Sequence, residues 1–554
     1  MHALLAITPI FLAVALMLVR FKAGTALIIA WLAGCFIAFF GWRMELPYIL
    51  GFSVSGFIRS LDIILVVFGA ILLLNLLKAN GNIAVIGSSL GRVSQDRRVQ
   101  ILVVSWLFGG FLEGAAGFGT PAALAAPLLV GMGFPVFPAA LASLVANSTA
   151  ISFGVAGTPT NAALTAIARS MEQQLPGVEM AAYSSQLTFV TAILHASIGI
   201  LVPFIVITII IVLFDENRDF KRACQALPIC VFAGLAFKLP YLLIARFIGP
   251  ELPSLLGAII GFAILIVAVK LRLFVPKTVW RFPNDPIDPV VNYDSVIEHN
   301  THNGKTSGAS LLKAIAPYTV VAILLVLSRI PWFPIQSALR SVIIPFRNIA
   351  GIGGINWNWA IMNNPGIFPF ILTTAVFAAI YRMKASEVGG IFKTTLKQIK
   401  NSVLAFAGGV ALMQIMTNTR FNTSGIADMV TVVGYALADL FGGAYLFVSP
   451  FVGVFGAMVS GSNTVSNIMF SSLQFDTAIT TGLSTVLIVA LQNVGGALGN
   501  LISASHIIPV CATTGAVGQE GKLIVYNLIP CFILTTLAVV VAVLLIGFGF
   551  NFVG

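Results

Sequence analysis

Hydrophobic positions along this chain neither alternate nor recur on one helical face; they run on continuously. Apolar stretches occupy residues 4–19, 24–41, 48–78, 186–214, 224–246, 252–275, 309–328, 363–381, 402–418, 424–441 and 524–550. Each is close to or longer than the roughly 20 residues that carry a helix across a bilayer, and 48–78 is too long for one upright crossing. Runs such as Ile200 to Phe214 and Leu528 to Phe550 are apolar on every face, whereas a spanning β-barrel shows short alternating segments. The pattern predicts an all-α polytopic membrane protein.

Composition sharpens that picture. Of 554 residues, 58% are hydrophobic and 9% charged, where a soluble domain has about a quarter charged. This much apolar sequence fills at most about 16 spans, and connecting loops reduce that to about 10 to 14. A single-span receptor and a soluble enzyme are excluded. Thirty Lys and Arg against 19 Asp and Glu give a net charge of +11. The basic residues collect at Arg20/Lys22, Lys78 to Arg98, Arg218 to Arg222, Lys270 to Lys305 and Arg382 to Lys400. Cytoplasmic loops of polytopic proteins carry such an excess, so no nucleic acid is implied and the N-terminus is expected outside. The opening Met1-His-Ala-Leu-Leu-Ala reads as a retained first helix. The polar stretch 276–308 divides the chain into halves, 1–275 and 309–554. Two basic pieces, Ser88 to Gln100 and Ser386 to Asn401, read as interfacial amphipathic helices on the same side of the membrane.

Two regions interrupt the spanning pattern. The first runs from Phe108 through Glu113, Gly119, Thr120 and Pro121, then reaches Asn147-Ser148-Thr149 and Gly157-Thr158-Pro159-Thr160. The second runs from Phe455 through Ser462-Asn463-Thr464 and Asn467, then reaches Asn493-Val-Gly495-Gly496 and Ser503-Ala-Ser505-His506. Twenty-seven positions separate Thr120 from Asn147, and 29 separate Thr464 from Asn493. Glycine, asparagine and hydroxyl groups at membrane depth are tolerated only where they line a cavity or contact protein. Paired breaks in corresponding places of two halves point to a secondary transporter's binding site. Close helix packing through small residues is the alternative for any single glycine pair.

Ionisable residues at membrane depth are costly and few. Glu113, at the first break, either exchanges a proton coupled to substrate, because a neutral carboxyl tolerates an anionic neighbour and an ionised one repels it, or holds the break through charge-assisted hydrogen bonds. Asp428 and Asp439, 11 apart, share a helix face; Asp428 is the buried candidate and Asp439 a solvated helix end. Arg420 either forks onto a carboxylate or snorkels to an interface. Arg59 and Asp62, three apart, are expected to neutralise each other. His506 either relays a proton or is a hydrogen-bonded structural histidine; His195 is likewise in apolar surroundings, and His299 and His302 share a polar loop. Cys35, Cys224, Cys230, Cys511 and Cys531 form no CxxC pair and read as packing residues. No metal or cofactor is expected. Thr120, Asn147, Ser148, Thr149, Ser462, Asn463, Thr464 and Asn493 supply neutral donors for a small anion, which suits weak, reversible binding.

The run Gly110-Phe-Leu-Glu-Gly-Ala-Ala-Gly-Phe-Gly119 followed by Pro121 closely resembles the signature of the bacterial lactate permease family. The resemblance continues through Phe247-Ile-Gly-Pro-Glu-Leu-Pro253, Ser460 to Asn467 and Asn493 to Ser503, in order and over nearly the whole chain. It implies uptake of L-lactate, often also glycolate, with a proton across the inner (plasma) membrane. It also implies kinship with an ion-transporter superfamily built from two inverted repeats with re-entrant hairpins, broken transmembrane helices, a scaffold domain that can form a homodimer, and a sliding, elevator-type transport domain. On that analogy residues 99–132 and 443–475 are hairpins, and 138–165 and 480–513 are broken helices. Asp62 and Arg420 depart from the family pattern. Sodium coupling through freed carbonyls beside Asn463 and Asn493, and an anion channel, are the competing readings. An intramembrane enzyme has no supporting HExxH or GxSxG motif.

Overall fold

The computed structural model describes residues 2–19, 21–91, 93–117, 119–216, 218–282, 311–329, 334–364, 366–550 and 552. Most of the expected linker, with His299 and His302, lies outside the described residues. The chain is 80% helical. Among the described residues, eight helices are long and apolar enough to cross a membrane, or up to ten if each of two bent pairs is one span. The remaining apolar helices, among them Leu312–Ser328 and Gly366–Ile380, are shorter.

Two helices of 34 residues, Leu46–Ala79 and Ala385–Asn418, run antiparallel along each other. Phe52 meets Phe421 at one end, with 5.4 Å between ring centroids, and Gly56 abuts the backbone of Ala411. At the other end Phe68 meets Phe392 at 5.2 Å, and Asn75 donates to Thr395 and Gln398 at 3.0 and 2.8 Å. Thirty-four residues rise about 51 Å, well beyond a hydrocarbon core of about 30 Å. The second helix resolves the excess with a 44° bend between Lys400 and Val403. Before the bend it turns Ile391, Thr395 and Ile399 inward at four-residue spacing and leaves its lysines exposed, the amphipathic form expected of Ser386 to Asn401.

Four expectations need correction. Ser88 to Gln100 is no interfacial helix, since Arg97 and Arg98 are buried. Arg98 forks onto Asp96, with Nε to Oδ1 at 3.0 Å and Nη2 to Oδ2 at 2.7 Å, while Arg97 donates to Gln100 at 2.8 Å and to the Met132 carbonyl. Paired and hydrogen-bonded, these guanidiniums join the ends of a helical segment instead of facing headgroups. Arg59 and Asp62 do not neutralise each other. Asp62 accepts from Trp359 Nε1 at 2.8 Å and Asn364 Nδ2 at 2.7 Å, whereas Arg59 donates to Ser55 and to the Asn356 carbonyl. Residues 424–441 are helical only from Met429, as Met429–Phe441, because Asn422 turns the preceding chain by accepting from the amides of Ser424 and Gly425 at 2.9 and 2.8 Å; the helix is long enough to cross only together with the following segment, as Met429–Ser460. Asp428 therefore caps this helix instead of sharing a face with Asp439.

The fourth correction is a two-stranded antiparallel ribbon in an otherwise helical chain, Ile343–Phe346 paired with Trp357–Ala360. Two-residue periodicity puts Trp357 and Trp359 on one face, where they stack at 5.3 Å and Phe346 stacks on Trp357 at 5.6 Å. Trp359 is the residue that Asp62 holds, so the ribbon is fastened to the first long helix.

Three of the polar interruptions break helices where they stand in the sequence; in the fourth, Asn493 to Gly496 stay inside the helix Thr485–Gly499 and the turn comes at Asn500–Ile502. Gly109–Ala115 and Thr120–Gly131 flank Gly117 and Gly119, at φ +52° and +74°, and Tyr445–Ser460 and Asn463–Thr481 flank Gly461 at φ +76°. Val136–Asn147 and Ile151–Gln174 meet at 63°. Thr485–Gly499 passes through a tight turn, Asn500–Ile502, into Ala504–Thr514. Some of the glycines serve packing: a β-carbon on Gly453, Gly495 or Gly499 would strike backbone atoms of the facing helix, so Tyr445–Ser460 and Thr485–Gly499 lie nearly backbone to backbone. Gly495→Val is expected to destabilise the folded protein by about 1–3 kcal/mol or more, read as a lower melting temperature in detergent. Gly443→Ala, where a β-carbon meets nothing within 4 Å, should stay within about 0.5 kcal/mol.

Candidate functional site

The four breaks converge. Asn463, at the start of its helix, donates to Asn493 Oδ1 at 3.0 Å, and Asn467, one turn on, donates to the same oxygen at 2.9 Å. The Asn493 amide nitrogen reaches across to Thr160 Oγ1 at 2.8 Å, and its carbonyl accepts from Ser152 Oγ at 3.0 Å. Asn467 also donates to the Pro159 carbonyl at 2.9 Å. The break of the second half is thus bonded to that of the first through one asparagine.

On the first side, Glu113 is buried and accepts from Asn147 Nδ2 at 2.7 Å. Gly154 permits this, because a β-carbon there would collide with the Glu113 carboxyl. The next three residues, Val155, Ala156 and Gly157, are left-handed, at φ +45°, +51° and +73°. Two of them carry β-carbons, so each costs about 1–3 kcal/mol that surrounding contacts must offset. Thr158 Oγ1 supplies one by donating to the Val155 carbonyl at 2.6 Å, and Val155 packs beneath Gly117.

Glu113, Gly154, Val155, Gly461, Ser462, Asn463, Thr464, Asn500 and His506 enclose a cavity of about 20 Å³, room for about one water. Asn463 Oδ1 and Asn500 Oδ1 have no hydrogen-bond partner among the described residues. Buried polar atoms of that kind mark where a ligand or water completes the shell. The cavity shares Gly461, Ser462 and His506 with a vestibule of about 1060 Å³ that also reaches Lys22, Lys78 and Glu520. A second vestibule of about 710 Å³, lined by Asp62, Thr158, Arg246 and Trp359 among others, shares none of the cavity's lining residues.

The expected residues are distributed unevenly about this point. Glu113, Ser462, Asn463, Thr464 and His506 line the cavity, and Asn147 and Asn493 bond to residues that do. Thr120 opens its helix, while its side chain lies outside the described residues. Ser148 donates to the Val145 carbonyl of its own helix. Thr149 presents its carbonyl, not its hydroxyl, accepting from Lys238 Nζ at 2.9 Å and Tyr241 at 3.3 Å. Asp428 caps a helix by accepting from Thr431 N and Oγ1 at 3.0 and 2.9 Å. Arg420 is exposed against the Phe421 ring. Lys238 and Ser152 escaped the sequence reading, and Thr160 and Asn467 were read only as parts of the interruptions, not as bonding partners of Asn493. A lysine inside the apolar run Ala233 to Leu243 was the available signal for the first.

A family model for L-lactate permease matches residues 2–548. The chain belongs to the L-lactate permease family. It is 30% identical to the glycolate permease GlcA of Escherichia coli (strain K12), over 95% of this chain and 92% of that one. It is 29% identical to the L-lactate permease of Bacillus subtilis (strain 168), over 94% and 92%. The solved structure of Neisseria gonorrhoeae MtrF is similar with 14% identity and a TM-score of 0.47, over 97% of each chain. Membership of this permease family makes the chain a transporter and not an enzyme, a multi-pass protein of the bacterial plasma membrane.

Asn493→Ala would leave the Asn463 amide without its partner, at a cost of about 1–3 kcal/mol for the buried group left bare, and would take one bond each from Asn467, which keeps the Pro159 carbonyl, and Thr160, which keeps the Ser152 carbonyl. It should lower the melting temperature and reduce lactate uptake at least about tenfold, whereas Ser148→Ala should change uptake less than about twofold.

Proposed function

We propose that the chain is a secondary active symporter that carries lactate, and related 2-hydroxy monocarboxylates such as glycolate, together with a proton. The observation that carries this reading is the cavity itself: it lies where all four breaks meet, and among the described residues Glu113 is the only acid lining it. Ser462, Asn463, Thr464, Asn147 and Asn493 supply the neutral polar groups, with the N-terminus of Asn463–Thr481 facing the cavity as a weak positive end. In this reading residues 1–275 and 309–554 are inverted halves joined by 276–308. The antiparallel course of Leu46–Ala79 and Ala385–Asn418 supports the inversion. The long helices belong to a scaffold, suited to a homodimer, and the four broken elements form the part that moves, elevator-fashion.

The vestibule that touches the cavity carries Lys22 and Lys78, which the positive-inside rule assigns to the cytoplasm. The conformation is then inward-facing. Proteoliposomes with an inward proton gradient are expected to concentrate labelled lactate, and a sodium gradient alone is not. The free amide oxygens of Asn463 and Asn500 favour a second reading, sodium coupling; accumulation on sodium alone would establish it and overturn the proton.

Glu113→Gln imitates the protonated carboxyl. Exchange of internal for external lactate should survive within about threefold, while proton-driven accumulation falls at least about tenfold. Equal loss of both would assign Glu113 a structural role.

A further inference from the structure

The hydroxyl that joins the first break to Asn493 has a second partner. His195, on the helix Met180–Gly199, is fully buried, and its Nε2 lies 2.7 Å from Ser152 Oγ. Ser152 in turn belongs to a closed ring of hydrogen bonds. Its hydroxyl donates to the Asn493 carbonyl at 3.0 Å, the Asn493 amide nitrogen donates to Thr160 Oγ1 at 2.8 Å, and the Thr160 hydroxyl donates back to the Ser152 carbonyl at 2.7 Å. Ser152, Thr160 and Asn493 are as deeply buried as the histidine. His195 thus brings a third element to the point where the two halves meet.

The protons of this arrangement can be assigned one by one. Ser152 has a single hydroxyl proton, and the carbonyl it meets can only accept. Nε2 therefore donates to the Ser152 oxygen, and His195 is the tautomer with its proton on Nε2. The other tautomer would set two oxygens 3.0 Å apart with no proton between them. It would also bury a bare N–H at Nδ1, which has no partner among the described residues, and a buried donor left unmade is costly. A doubly protonated ring would incur that second cost as well. The charged side chain nearest along this face is Lys238, whose stem lies against Gly199, one turn on from His195, and whose Nζ is bonded to the Thr149 carbonyl beside Tyr241.

We propose that His195 is a positioning residue of the carrier: as the neutral Nε2–H tautomer it directs the Ser152 hydroxyl onto the Asn493 carbonyl and so holds the break of the first half in register with that of the second. Through the same ring the Asn493 side chain is fixed, and its Oδ1 accepts from Asn467 and from Asn463, which lines the cavity. His195 does not line the cavity itself; it acts through Ser152 and Asn493. A histidine used in this way is a shaped hydrogen-bond donor, and no proton is taken up or released at its ring. The inference rests on the reading of the cavity as the lactate site and deepens it, whichever ion is coupled.

The test is exchange of internal for external labelled lactate in proteoliposomes, which needs no ion gradient, with each variant first shown to be folded by its melting temperature. His195→Phe keeps a ring but no donor, and its apparent affinity for lactate should fall at least about tenfold. His195→Gln, whose amide nitrogen can take the place of Nε2, should stay within about threefold of the unaltered chain, whereas His195→Asn, whose nitrogen reaches only the place of Nδ1, should lose as much as His195→Phe. Ser152→Ala removes the same bond from its other end and should cost the same factor, with the His195→Phe/Ser152→Ala pair no worse than either change alone. A ring needed only for packing would favour Phe over Gln. Lactate affinity kept in His195→Phe, a His195→Gln chain as impaired as His195→Asn, or losses that add in the pair each overturn the proposal. So does a His195→Gln chain that exchanges lactate but no longer accumulates it on a proton gradient, since that is the behaviour of a proton relay. If His195→Phe or His195→Asn does not fold, the outcomes for His195→Gln and Ser152→Ala still decide. Failure of the unaltered chain to exchange lactate overturns this inference together with the reading beneath it.

Discussion

Backbone groups freed by a helix break have no water to turn to at membrane depth, so every break must find its partners in protein. In this chain they find them in one another. Asn493 is the centre of that arrangement: its side chain and carbonyl join Asn463, Asn467, Thr160 and Ser152, drawn from two other segments, one in each half. Behind the first break, the Thr149 and Ala150 carbonyls are taken by Lys238, Tyr241 and Ser254. In the second, the Leu501 carbonyl is taken by Asn527. The polar residues that look like a binding site are thus first of all the means by which interrupted helices can exist in a bilayer.

The close approach of helices follows from the same constraint. Gly453, Gly495 and Gly499 remove side chains between two helices, and this places Asn493 within reach of Asn463. Glycine therefore has two uses in these segments. At 117, 119 and 461 it supplies a left-handed turn; at 453, 495 and 499 it sets a distance. A substitution at either kind would disturb the cavity, one by bending the chain and the other by spreading its walls.

The spans and the breaks were legible because each has a local cause. Long apolar runs must cross, and Gly, Asn and Thr at depth must interrupt. Glu113, Asn463 and Asn493 were singled out because each stands among glycines and small polar residues that interrupt an apolar run of the sequence. Lys238 was not, because its meaning depends on the Thr149 carbonyl 89 positions away, and backbone carbonyls carry no label in a sequence. Thr149 was singled out for a hydroxyl when its carbonyl is what bonds. The burial of Arg97 and Arg98 likewise depends on Asp96 and on carbonyls of Met132 and Arg222, so counting charges placed them at a membrane surface. Asp62 and Arg59 looked like a local pair at helical spacing until the ribbon at 343–360 supplied better partners for both.

The cavity between the breaks has room for about one water, much less than a monocarboxylate occupies. On the proposed reading of this cavity as the substrate site, lactate enters only when its walls part, and the hydrogen bonds closing them oppose that. Measured affinity is therefore the intrinsic affinity of the open site reduced by the fraction of time it is open. A binding protein or lipid that held the vestibule walls apart would strengthen lactate binding without touching lactate, and mutations far from the site would reach it through the same fraction.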